Sequence, residues 1–92
     1  MRNLILLLPM VGLMVASTSV RAQSSSSLLE GVKNNPGQAR AMCRTFRQLN
    51  AEGQSALSEA SIRTLARQRG LSQKDSEILA TYVIGLHCTD VS

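Results

Sequence analysis

Cys43 and Cys88 are the only two cysteines in this 92-residue chain, and they stand 45 positions apart. A chain so short buries a thin core and usually depends on a covalent or metal staple. The use made of these two thiols therefore constrains the fold more than any other feature. The compartment decides it, because thiols stay reduced in the cytosol and pair as disulfides outside it.

The first residues speak to the compartment. MRNLILLLPMVGLMVASTSVRAQ has a short basic start, an apolar run over 4–16, then small and polar residues, and Val20-Arg21-Ala22 fits the small-x-small pattern of signal peptidase. This is the anatomy of a secretory signal peptide over 1–22, cleaved after Ala22. The apolar run contains Pro9 and is shorter than the ~20 residues a bilayer span requires. No cysteine follows the cleavage site to carry a lipid, so no stable membrane span or anchor is expected afterwards. The expected location is extracytoplasmic: periplasm, thylakoid lumen or secreted. Arg2 and Arg21 leave with the signal, so 8 of the 10 basic residues remain against 6 acidic ones, and the net charge falls from +4 to about +2.

The remainder reads as helices. Residues 23–35 are a serine-rich lead, in which Ser27-Leu28-Leu29-Glu30 fits a capping box opening a short helix over 28–33. Asn35 then caps a helix whose first residue is Pro36. Ala39, Met42, Cys43, Phe46 and Leu49 recur at helical spacing, and that helix should stop near Ala51, with Gly53 as its left-handed terminator. Ser58 opens the next helix, stapled by Leu57 and Ile62 and ended by Gly70. Ser72 caps the last, whose buried face is Ile78, Leu79, Tyr82, Val83 and Leu86. At ~100° per residue Cys88 falls off that face, so the helix should end or distort near His87 to turn Cys88 inward. The expected fold is all-α: a small bundle of three helices over 36–92, or four with the lead helix, tied by one disulfide.

Two readings of the cysteines compete. A Cys43–Cys88 disulfide suits an exported chain, with one thiol on a buried helix face and the other at a helix end. The alternative is an extracytoplasmic carrier of metal or haem, using His87, Cys88 and Cys43, with Asp90, Met42 or Tyr82 as further candidates. Zinc takes four ligands in a tetrahedron, or three plus water. Adjacent His87 and Cys88 suit that badly on a helix, and neither C-x-x-C nor C-x-x-C-H occurs. The disulfide is favoured and no cofactor is expected.

Other chemistry is poorly provided for. A disulfide removes the only thiol nucleophiles, and the single histidine has no Ser or Asp constellation beside it. Glu52 and Glu59 lie where charged residues are ordinarily solvated, and no Gly-rich phosphate loop occurs, so the chain is expected not to be an enzyme. SIRTLARQRGLSQKDSEIL has the outline of a helix-turn-helix, but Ser76 stands where its second helix should present an apolar residue, and export removes the chain from DNA. With Phe46 and Tyr82 assigned to the core, no aromatic platform remains for stacking bases, and no nucleic-acid partner is expected. Arg40, Arg44 and Arg47 share an arc of about 60° on one helix, opposite its apolar stripe, with no acidic residue before Glu52. They are the candidate contact for an acidic protein partner or an anionic surface.

The stretch CRTFRQLNAEGQSALSEASIRTLARQRGLSQKDSEILATYVIGLHC resembles small uncharacterised exported proteins of cyanobacteria. It is also distantly similar to a mycobacterial exported family of unknown function, through Cys43 in an early helix, Leu71-Ser72 at the start of the last helix, and the ending from Tyr82 to Cys88. The resemblance implies a disulfide-tied helical domain and brings no active-site residues. Processing is directly measurable: the intact mass of the protein from its native host should place the N-terminus at Gln23, and a chain retaining its first 22 residues would refute the signal-peptide assignment.

Overall fold

The computed structural model describes residues 24–92; the signal-peptide assignment over 1–22 lies outside the described residues. Four α-helices follow one another: α1 Ser25–Asn34, α2 Pro36–Ala51, α3 Glu59–Arg69 and α4 Gln73–His87. The all-α bundle expected from sequence is therefore present in its four-helix form.

Local chemistry sets most of the boundaries. The Asn35 side chain accepts from the Gln38 amide at 3.2 Å, with Pro36 as first residue of α2. Ser58 and Ser72 cap α3 and α4 by accepting from Ser61 N and Asp75 N at 3.1 and 3.0 Å. These bonds satisfy amides that a helix start otherwise leaves unpaired. Gly53 and Gly70 have φ of 82° and 65°, the left-handed region where a Cβ is penalised, and each follows a helix. The opening of α1 differs from expectation. Ser24, not Ser27, is its cap, accepting from Ser27 N at 3.1 Å, so the helix begins three residues before the expected Leu28. A run of four serines offers several equivalent caps, and the earlier choice adds nearly a turn to the helix.

Leu28 and Val32 make α1 part of the core, where it packs on α4 and α2. The apolar stripe of α2 is buried at Ala39, Met42, Cys43 and Phe46, with Leu49 packed beside it. At the start of α3 Ile62 and Ala56 are buried, while Leu57 is 40% exposed.

The principal difference concerns α4. It packs against all three other helices, whereas α2 and α3 approach within 8 Å at no pair of Cα atoms. A central helix met from three sides has no single apolar stripe. Its fully buried positions are Ser76, Ala80 and Val83, each 0% exposed, while Leu86 is 52% exposed and Ile78, Leu79 and Tyr82 are half-buried. Large side chains fill the gaps between neighbours, and small ones sit where the helices come closest. Ser76 is tolerated there because its hydroxyl donates to Ser72 O at 2.8 Å, which offsets the penalty for a buried polar group. Its polarity therefore did not place it on the outside.

This packing predicts opposite outcomes for two substitutions on one helix. Ala80→Leu overpacks a site with no free space and should destabilise by about 1–3 kcal/mol. Leu86→Gln should stay within about 0.5 kcal/mol of the parent. Chemical denaturation of both variants tests the arrangement, and comparable losses would mean that α4 presents a different face.

Candidate functional site

Three arrangements carry the residues with chemistry: the sulfur bridge, the tail beyond it, and a cleft on the other flank of α2. The bridge positions the other two. Cys43 lies in the middle of α2, and Cys88 comes directly after the last residue of α4. At Cys88 the backbone leaves helical geometry, with φ −153° and ψ 67°, while its amide still bonds Ile84 O at 3.1 Å. That break turns the side chain inward. The two half-cystines are bonded to each other, with Cα atoms 5.9 Å apart, and both are 2% exposed within the core cluster.

The bridge commits both sulfurs. His87 is exposed, and Met42 and Tyr82 are buried or half-buried on different helices. Among the described residues no group of three or more His, Cys, Asp or Glu side chains is placed to hold a metal ion. The ligand set of Cys43, His87 and Cys88 is thus not assembled in this oxidised form.

Past Cys88 the tail folds back along α2. Val91 is buried, and its amide bonds Cys88 O at 3.0 Å. Asn50 reads the backbone of Ser92 twice: its Oδ1 accepts from Ser92 N at 2.8 Å, and its Nδ2 donates to Ser92 O at 2.9 Å. Ala56 N adds a third bond to Ser92 O at 2.8 Å. Arg47 grips Asp90 through two parallel hydrogen bonds, Nε to Oδ2 at 2.8 Å and Nη2 to Oδ1 at 2.9 Å. The fork geometry matches guanidinium to carboxylate. Hydrogen bonding to Arg47 lowers the Asp90 pKa, and the same bond raises that of Arg47.

The three candidate arginines are therefore not equivalent. Arg40, Arg44 and Arg47 are all exposed on α2, but Arg47 is engaged within the chain. The ion pairs among the described residues are Arg47–Asp90 and Arg63–Glu59, so Arg40 and Arg44 remain outside them. Sequence reasoning did not connect Asn50 to Ser92 or Arg47 to Asp90, and no local signal could have, since the partners are 42 and 43 residues apart.

On the other flank of α2 a cleft of about 190 Å³ opens between α1, α2 and α4. Leu28, Val32, Met42, Leu79 and Val83 form its apolar wall, and Arg69, the half-buried last residue of α3, supplies a cation. A smaller cleft of about 110 Å³ lies between α2 and α3 and shares Met42 and Arg69 with the first. It is the direct result of α2 and α3 standing apart.

A family profile described as "Domain of unknown function (DUF8664)" matches residues 29–88. The chain belongs to that family. The matched span begins inside α1 and ends on Cys88, so the whole bridged loop lies within the DUF8664 domain. No curated protein and no solved structure matches the chain.

The bridge should dominate stability. In the chain-entropy description, closing a loop of this length is worth roughly 4 kcal/mol, less any strain. Reduction, or Cys43→Ser with Cys88→Ser, should lower the melting temperature by some tens of degrees or unfold the domain. His87→Ala should change little. A histidine variant as damaging as the cysteine pair, or zinc or haem recovered with the protein, would contradict a purely structural bridge.

Proposed function

We propose that this DUF8664 protein is a small exported, non-enzymatic binding or structural accessory protein. Its export is supported by the leader sequence and by a buried disulfide of the kind that persists in oxidising compartments. None of the helices in the described residues is long and apolar enough to cross a membrane. The working surface is the exposed side of α2, and its partner is an acidic protein or another anionic surface.

The observation that carries this reading is the contrast among the three arginines. Arg47 finds a carboxylate within the chain, whereas Arg40 and Arg44, one turn apart on the same helix, enter neither ion pair of the described residues. Like charges at i, i+4 disfavour the helix by a few tenths of a kcal/mol, and a cation near a helix N-terminus adds to that. An acidic partner turns both liabilities into attraction, which salt screens over ~8–10 Å.

The test separates the free arginines from the engaged one. Arg40→Gln combined with Arg44→Gln should leave the melting temperature unchanged or slightly raised. It should also weaken associations seen with exported proteins of the native host and flatten their salt dependence. Arg47→Gln should instead loosen the tail. If the double variant keeps every association of the parent, the α2 surface is not the contact.

A further inference from the structure

The cleft between α1, α2 and α4 plays no part in the arginine surface of α2. It is lined by hydrocarbon from Leu28, Val32, Met42 and Leu79 and by the polar Asn35 and Gln38, it is open to solvent, and its volume is about 190 Å³. An apolar cavity of about 150 Å³ is enough to take up benzene. The space therefore suits a small hydrocarbon group rather than a protein segment. Among the described residues no carboxylate lines it, and the charged residue in its lining is Arg69, which belongs to neither ion pair of those residues. A half-buried guanidinium beside apolar side chains, in no ion pair among the described residues, favours a ligand that brings its own anion.

Gly31 is a second, independent observation. It lines the cleft from the middle of α1, where glycine weakens a helix by about 1 kcal/mol relative to alanine. Its φ is not positive, and a Cβ built there would meet no atom within 4 Å. Neither backbone conformation nor close packing thus requires glycine here, and a side chain at this position would narrow the opening.

We infer that this cleft is a binding site for small amphipathic monocarboxylates, with the hydrocarbon against Leu79 and the edges of Met42 and Val32 and the carboxylate on the Arg69 guanidinium. The smaller cleft between α2 and α3 has Met42 and Arg69 in common with it. Such a ligand has about eight non-hydrogen atoms at the lower end, which corresponds to a Kd of about one to twenty millimolar at ordinary ligand efficiency.

The test uses the oxidised protein, expressed from the full-length chain with its leader and titrated with hexanoate and with hexanol by amide-resolved NMR. Hexanoate should shift resonances of α1, Met42 and Arg69, and hexanol should bind at least tenfold more weakly. Arg69→Gln should abolish that preference for the anion. Gly31→Leu should block both probes while keeping or raising the melting temperature, since leucine is the better helix former. Arg40→Gln with Arg44→Gln should leave hexanoate binding intact, so failure here is separable from failure of the α2 surface. Absence of hexanoate shifts up to tens of millimolar, equal affinity for acid and alcohol, or shifts confined to Arg40 and Arg44 would each overturn the inference. Should Gly31→Leu not fold, the comparison of hexanoate with hexanol on the parent protein still decides.

Discussion

The Cys43–Cys88 bridge joins the helix with incomplete packing to the helix that everything else packs on. α2 lies close against α4 and α1, whereas its backbone keeps more than 8 Å from that of α3 and the two share the core only through side chains such as Phe46 and Leu65. The bridge supplies the missing restraint from the middle of α2, inside the core rather than at its edge. It also dictates the course of the last four residues. Cys88 can reach Cys43 only by leaving the α4 helix, and that departure delivers Val91 into the core and Ser92 to the last turn of α2. The Asn50, Ala56 and Arg47 bonds then fix a segment that has no regular structure of its own. Each buried or half-buried backbone group in such a segment needs a partner, and the C-terminal half of α2 with the loop after it provides them.

The result is a bundle with two unlike flanks on either side of α2. One carries Cys43, Arg47 and Asn50 and is closed by sulfur, a tail and an ion pair. The other carries Ala41, Met42 and Thr45 and stays open, because α3 does not close against it. The bridge, the tail bonds and the ion pair all hold α2 from its closed flank. Binding surfaces in small domains commonly take this form, a site positioned by a scaffold that is stabilised elsewhere.

The sequence was most legible where the physics is local. The Asn35-Pro36 start, the Ser58 and Ser72 caps and the Gly53 and Gly70 stops rest on bonds or backbone preferences spanning a few residues, and all are found as expected. The bridge was legible too, because a helical period and a count of degrees place Cys43 inside the core and require Cys88 to break from its helix. The start of α1 was less so, since four consecutive serines do not distinguish one cap from the next. The face of α4 was legible in part: Val83 is buried and Leu79 and Tyr82 pack on the core, but Leu86 is exposed, and periodicity, which weights large side chains, passed over the buried Ser76 and Ala80. The tail contacts and the cleft depend on residues far apart in sequence: Arg47 and Asp90 carry no sign of each other, and Gly31 and Arg69 become related only once three helices are assembled.

The position of α4 has a consequence for the order in which structure can appear. It is the last of the four helices among the described residues, yet it is the one on which α1, α2 and α3 all rest. During vectorial synthesis or threading, the three earlier helices emerge without their common support. Helices of 10, 16 and 11 residues are marginal alone in water. Only the α1–α2 contact is available to them, and it is not enough to make a core. Folding of this domain is therefore a collective event that awaits its final helix.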